Sequence, residues 1–311
     1  MKWAVGWLAA VLVGFAMMLG SYYGLQGPQR AATAQTIEEL KAAAKAEGES
    51  ATLRASAAES TSKLLGADTR TPAGPFELYL AGQAFVLLGG SGLLVLLYAL
   101  ISMRLGSGTL GEPMAETVNW RWLLIGLHVA FFGTMIVVSQ ITYAIPDIQK
   151  QALSQIDAQI RGNHGPLGMA GAAYLSGNIP LAAIVTLAIN FLLGTLFFIT
   201  LPSVIVPGVG VAFVFFRFAI WGLLLAPTYA TLGGRMLPHT FTLLVEGEAY
   251  VLGSFFAALI PAYFFAPSKG VSLGERYGRA FLVNAKGLVW VFAILAVAAI
   301  YEATEVIAQL P

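Results

Sequence analysis

Residues 241–265 read FTLLVEGEAYVLGSFFAALIPAYFF. A helix of this length spans the roughly 30 Å of hydrocarbon in a bilayer. Yet it carries two carboxylates, Glu246 and Glu248, inside Val245-Glu246-Gly247-Glu248-Ala249-Tyr250. Charges at that depth are costly, and they mark either function or a buried pair. The stretch therefore predicts a membrane helix that carries two acids of functional or structural use.

Six further stretches pass the same length test, at about 3–24, 78–103, 121–144, 179–201, 211–228 and 283–306. The composition agrees. Of 311 residues 58% are hydrophobic and only 11% charged, with a mean hydropathy of +0.76. Soluble domains carry about 25% charged residues, so this chain has too few charges to cover a water-facing surface. The fold class expected is all-α, a polytopic transmembrane bundle of about seven membrane helices plus two extramembrane helices. The first run, Trp3 to Tyr23, is longer than the core of a secretory signal and lacks an Ala-x-Ala site. It reads as an uncleaved membrane helix.

Two polar segments interrupt the spans. In residues 25–76, Thr36-Ile37-Glu38-Glu39 is a capping-box pattern that predicts a soluble helix to about Leu65. In residues 145–178, Ile148, Ala152, Ile156 and Ile160 form one apolar stripe from Pro146 to about Ile160, with Gly162 as a stop. The fourth and fifth spans are separated by Leu201-Pro202-Ser203-Val204-Ile205-Val206-Pro207-Gly208-Val209-Gly210. This stretch either ends one helix and begins another or makes a re-entrant turn. The chain divides into 1–76 (an anchor helix plus an extracytoplasmic helical segment), 77–178 (two membrane helices and an outer amphipathic helix) and 179–311 (a four-helix membrane core).

Basic residues orient the spans. Lys2, Arg104, Arg121, Lys269, Arg276, Arg279 and Lys286 fall on one side, while the short loops of the other hold Lys150, Arg161 and Arg235. This favours the N-terminus inside and the C-terminus outside, in a multi-pass protein of a bacterial cytoplasmic membrane.

The candidate site is a polar intramembrane cluster of His239, Glu246, Glu248, Glu302 and Arg217. One reading has Glu248, Glu302 and His239 binding a partner, ion or proton. The other has them fixing helix register through hydrogen bonds. Arg217, in Phe215-Phe216-Arg217-Phe218, reads as snorkelling to the cytoplasmic face. His128 reads as a satisfied core histidine and Asn190 as interhelical glue. The chain has no cysteine, and its histidines, His128, His164 and His239, lie on different segments. No catalytic residue, metal site or cofactor is expected. A net charge of +1 offers no basic surface for nucleic acid. The partners expected are membrane lipids and other membrane or periplasmic proteins, and a homo-oligomer is compatible.

Residues from about 174 onward carry Gly177-Asn178-Ile179-Pro180-Leu181-Ala182, then Gly194-Thr195, then Leu237-Pro238-His239 ahead of Glu246 and Glu248, and finally Ala299-Ile300-Tyr301-Glu302-Ala303. In these motifs the chain resembles the stage II sporulation protein M family of multi-spanning membrane proteins. It departs where Thr240 stands in place of the family's glycine and where the acids come further along. The resemblance implies a non-enzymatic scaffold that anchors partners at the outer face of the membrane. The alternative is a membrane component of a small-molecule or ion transporter, which would line a path with the intramembrane acids.

Overall fold

The computed structural model describes residues 2–24, 70–106, 108–161, 165–265 and 270–309. The soluble helix expected at 36–65, the stop at Gly162 and His164 lie outside them. The described residues form ten helices and no strand: α1 (Lys2–Gly24), α2 (Ala73–Leu105), α3 (Gly111–Asn119), α4 (Arg121–Ala144), α5 (Pro146–Arg161), α6 (Gly165–Leu175), α7 (Ile179–Ile205), α8 (Val209–Leu224), α9 (Ala230–Phe265) and α10 (Leu273–Ala308). The fold is an all-α polytopic bundle. Six helices, α1, α2, α4, α7, α9 and α10, are long and apolar enough to cross a membrane.

The seventh expected span is shorter than its sequence suggested. Instead of continuing to 228, α8 ends at Leu224 after 16 residues, about 24 Å at 1.5 Å per residue. Pro227 accounts for the stop, because a proline disfavours helical backbone in the residue before it. The buried amide of Gln149 on α5 donates to the carbonyls of Leu224 and Ala226 at this end, at 3.1 and 2.9 Å. Gln149 is thus fully buried while Ile148 stays exposed, so the expected apolar stripe of α5 is not its most deeply packed face. Two helices escaped the sequence reading, α3 and α6, both too short for a span.

The ambiguous stretch between α7 and α8 is a turn between two helices. Val206 is extended, and Gly208 takes φ 93°, a left-handed conformation that favours glycine. Within α7, residues Ile189–Thr200 form a π-helix, a wider winding rare outside functional segments. At the other margins the helices outrun their apolar cores. α10 begins at Leu273 because Ser272 and Glu275 form a complete capping box.

α9 is the inner pole of the bundle. In its most apolar 18 residues 83% are buried, against 17–39% in the other five long helices. Tyr250, Val251, Leu252, Phe255, Leu259 and Ile260 are all fully enclosed. At one end the amide of Thr71 donates to the carbonyl of Thr228 (2.9 Å), and the Tyr143 hydroxyl donates to the carbonyl of Thr71 (2.7 Å). At the other, Lys286 pairs with Glu112, Arg279 approaches Glu116 at 3.6 Å, and the Trp290 indole donates to the carbonyl of Leu110.

α1 joins the bundle through glycine. Its Gly14 crosses Gly82 of α2 so closely that a Cβ on Gly82 would lie 2.6 Å from the Gly14 carbonyl oxygen. Lipid gives two apolar helices no hydrophobic incentive to associate, so this close backbone approach holds them. Gly82→Val should therefore destabilise the folded protein by about 1–3 kcal/mol. Gly126→Ala, where a Cβ meets nothing within 4 Å, should be neutral or stabilising. Thermal unfolding of the detergent-solubilised variants checks both.

Candidate functional site in the polar centres around α9

Glu246 and Glu248 are two residues apart, which on a helix places them on opposite faces. The structure gives each its own partners. Glu248, wholly buried, receives the Tyr98 hydroxyl of α2 on Oε1 at 2.7 Å. Its Oε2 lies 2.7 Å from Nε2 of His128 on α4. The other ring nitrogen, Nδ1, is 2.8 Å from the carbonyl of Leu124. A carbonyl can only accept, so Nδ1 carries a hydrogen and donates. Nε2 is then the nitrogen that faces the carboxylate. Tyr98 and His128 are each only 3% exposed, so the triad joins α2, α4 and α9 in a fully desolvated setting.

On the opposite face of α9, Glu246 accepts from Nη2 of Arg217 at 2.7 Å. The same nitrogen donates to Oδ1 of Asn190 at 3.1 Å. The guanidinium lies over the Tyr250 ring, 4.2 Å from its centroid, and 5.3 Å from that of Trp221. Arg217 therefore does not snorkel. It stands eight residues into α8, about 12 Å from the helix start, and Glu246 faces it there. The π stretch of α7 brings Asn190 to the guanidinium, and within it Thr195 donates to the carbonyl of Asn190 at 3.2 Å.

Toward the C-terminal end of α10, Glu305 accepts from Thr242 at 2.9 Å and from Gln309 at 3.0 Å, and it lies 3.2 Å from Nδ1 of His239. One turn earlier on the same helix, Glu302 lies in the electrostatic field of Glu246, His239, Tyr174 and Glu305.

The five sequence candidates are thus distributed over these centres. Arg217 and Glu246 meet directly. His239 and Glu302 lie near one another, although His239 bonds to Glu305. Glu248 belongs with His128 and Tyr98 on the far side of α9, so it is not grouped with Glu302 and His239 as expected. Sequence reasoning missed Tyr98, Tyr250 and Tyr174. The signal for the first triad was present, since an intramembrane glutamate and an intramembrane histidine each need a partner. Among the described residues no group of three or more His, Asp or Glu side chains converges as a metal ion would require.

No family model, curated protein or solved structure matches this chain significantly. The site is therefore judged on its own geometry. It can hold helices in register through paired polar side chains.

Removing one member of a buried charged pair leaves the other uncompensated. His128→Ala should destabilise the protein by about 3–5 kcal/mol, and Tyr98→Phe by about 1 kcal/mol. The double variant His128→Ala/Glu248→Gln should be less damaged than the sum of its single changes. A double-mutant cycle in detergent micelles measures this coupling.

Proposed function

We propose that the chain is a non-enzymatic integral membrane scaffold that assembles partner proteins in, or at the outer face of, a bacterial cytoplasmic membrane. The observation that carries this reading is the closure of the Tyr98–Glu248–His128 triad. Its carboxylate has both oxygens bonded and no exposed surface. A group committed in that way holds α2, α4 and α9 in fixed register and offers nothing to a passing solute.

The proposal retains the resemblance to the stage II sporulation protein M family over about 174–311, and its motif residues sit at joints of this bundle. Asn178 caps α7 by accepting from the Leu181 amide at 3.0 Å. Gly194 and Thr195 lie in the π stretch, and His239 and Glu302 lie on the paired helices α9 and α10. Orientation rests on charge. Arg104, Arg121, Arg276, Arg279 and Lys286 gather at one end, which we take as cytoplasmic. On this reading α5 and α6 lie on the outer side. They present Ile148, Leu167 and Met169 to their surroundings, a surface on which a partner can dock.

The transporter reading has one observation in its favour. Glu305, Glu302 and Glu246 form an acidic series running inward from the end of α10, beside the π segment of α7.

Crosslinking in the native membrane with mass spectrometry separates the two. The scaffold should yield reproducible neighbours attached through 146–175, and reconstituted protein should give no solute flux above empty liposomes. Flux that is abolished by Glu302→Gln, in a protein without reproducible neighbours, would replace the scaffold with the transporter.

A further inference from the structure

The centre around Arg217 is open where the triad is closed. Three of its polar atoms are buried without a hydrogen-bond partner: Nε of Arg217, the hydroxyl of Tyr250 and Oε2 of Glu302. Tyr250 is wholly buried, and its hydroxyl lies in the electrostatic field of Arg217, Glu246 and Glu302. Opposite it, the π stretch of α7 places a glycine. A Cβ on Gly194 would sit 2.9 Å from that hydroxyl.

The charges in this region do not balance. Glu302 faces Glu246 and His239 from α9, Tyr174 from α6 and Arg217 from α8, with Glu305 one turn further along α10. Arg217 is committed to Glu246 at 2.7 Å, and His239 is at hydrogen-bond distance from Glu305. Three carboxyls thus share one guanidinium and one imidazole. Even with the imidazole charged, Glu302 is the acid without a cation at hydrogen-bond distance. An ionised carboxylate in that position is costly in a medium without water, and a carboxylic acid is not.

We propose that Glu302 is a proton-binding site of the membrane core, loaded and unloaded through the His239–Glu305 end of α10. Binding adds H⁺ to a lone pair of the carboxylate and forms one O–H bond. Release breaks that bond and returns the proton to water, with no change in oxidation state. Glu305 lies in the last turn of α10 and bonds to Gln309 at its end, so the steps outward are one helical turn to Glu305 and from there to the aqueous boundary. The Tyr250 hydroxyl, also buried without a partner, lies in the electrostatic field of the same carboxyl. This site does not depend on the scaffold reading and would serve a transporter equally.

Infrared difference spectroscopy of the full chain in liposomes, titrated from about pH 6 to 9, above the range in which water-exposed carboxyls protonate, tests the proposal. The wild type should show a protonated-carboxyl stretching band worth about one group per chain, which vanishes as pH rises. Glu302→Gln should abolish it. Glu302→Asp, which keeps the carboxyl, should retain the band with a displaced midpoint and remains informative should the glutamine variant misfold. A wild type without a titrating carboxyl band would overturn the proposal, as would a band unchanged in both Glu302 variants or one lost in Glu248→Gln instead.

Discussion

A helix enclosed on every side within a membrane has no solvent to satisfy its polar atoms, neither water nor headgroup, and α9 is that helix here. Its two glutamates must find partners on its neighbours or remain unpaired in a medium where that is costly. Because they stand two residues apart, they demand partners in opposite directions. His128 and Tyr98 answer from α4 and α2, while Arg217 and Asn190 answer from α8 and α7. The arrangement of helices around α9 follows from this demand as much as from apolar packing. Lipid is as apolar as leucine and gives no incentive of its own for helices to associate.

Much of the fold was legible because apolar length is a one-dimensional property. Six of the seven expected spans reappear as long helices. The margins were harder, because local polar chemistry sets them rather than hydropathy. The start of α10 was written in Ser272-Leu273-Gly274-Glu275, a capping-box pattern that an apolar window passes over. The early end of α8 was written in Pro227. α6 was hidden for another reason. Its sequence, GPLGMAGAAYL, is too short for a span and too uniformly apolar to show a helical stripe. The π winding of α7 leaves no mark in composition that we can identify.

The site was legible residue by residue but not in its pairings. Intramembrane charges announce themselves, and each of the five expected residues does lie in a polar centre. Which residue meets which depends on helix rotation and on contacts between residues far apart in sequence. Glu248 and His128 are separated by 120 positions, and neither sequence neighbourhood hints at the other. The rotation was available in principle, since positions i and i+2 cannot share a helix face. That rule alone separates Glu246 from Glu248. The place of Arg217 was misjudged for a similar reason. The acid facing it across the bundle, Glu246, fixes its place.

The two faces of α9 differ in kind, and the difference bears on how the bundle can behave. On the α2–α4 side every polar atom of the triad is matched, so any displacement of these helices breaks bonds without forming others, and this half is rigid. On the α7–α8–α10 side, donors and acceptors are left over, the helix is wound more loosely, and a glycine lies beside the orphan hydroxyl. Rearrangement there breaks fewer contacts. Tyr174 links that looser half to α6. It lies at the end of α6, its hydroxyl is 2.8 Å from Thr186 on α7, and it stands in the field of Glu302. Glu302 is thereby coupled electrostatically to a residue of α6. The bundle thus sets a fully matched face of α9 against one whose polar atoms are partly unmatched.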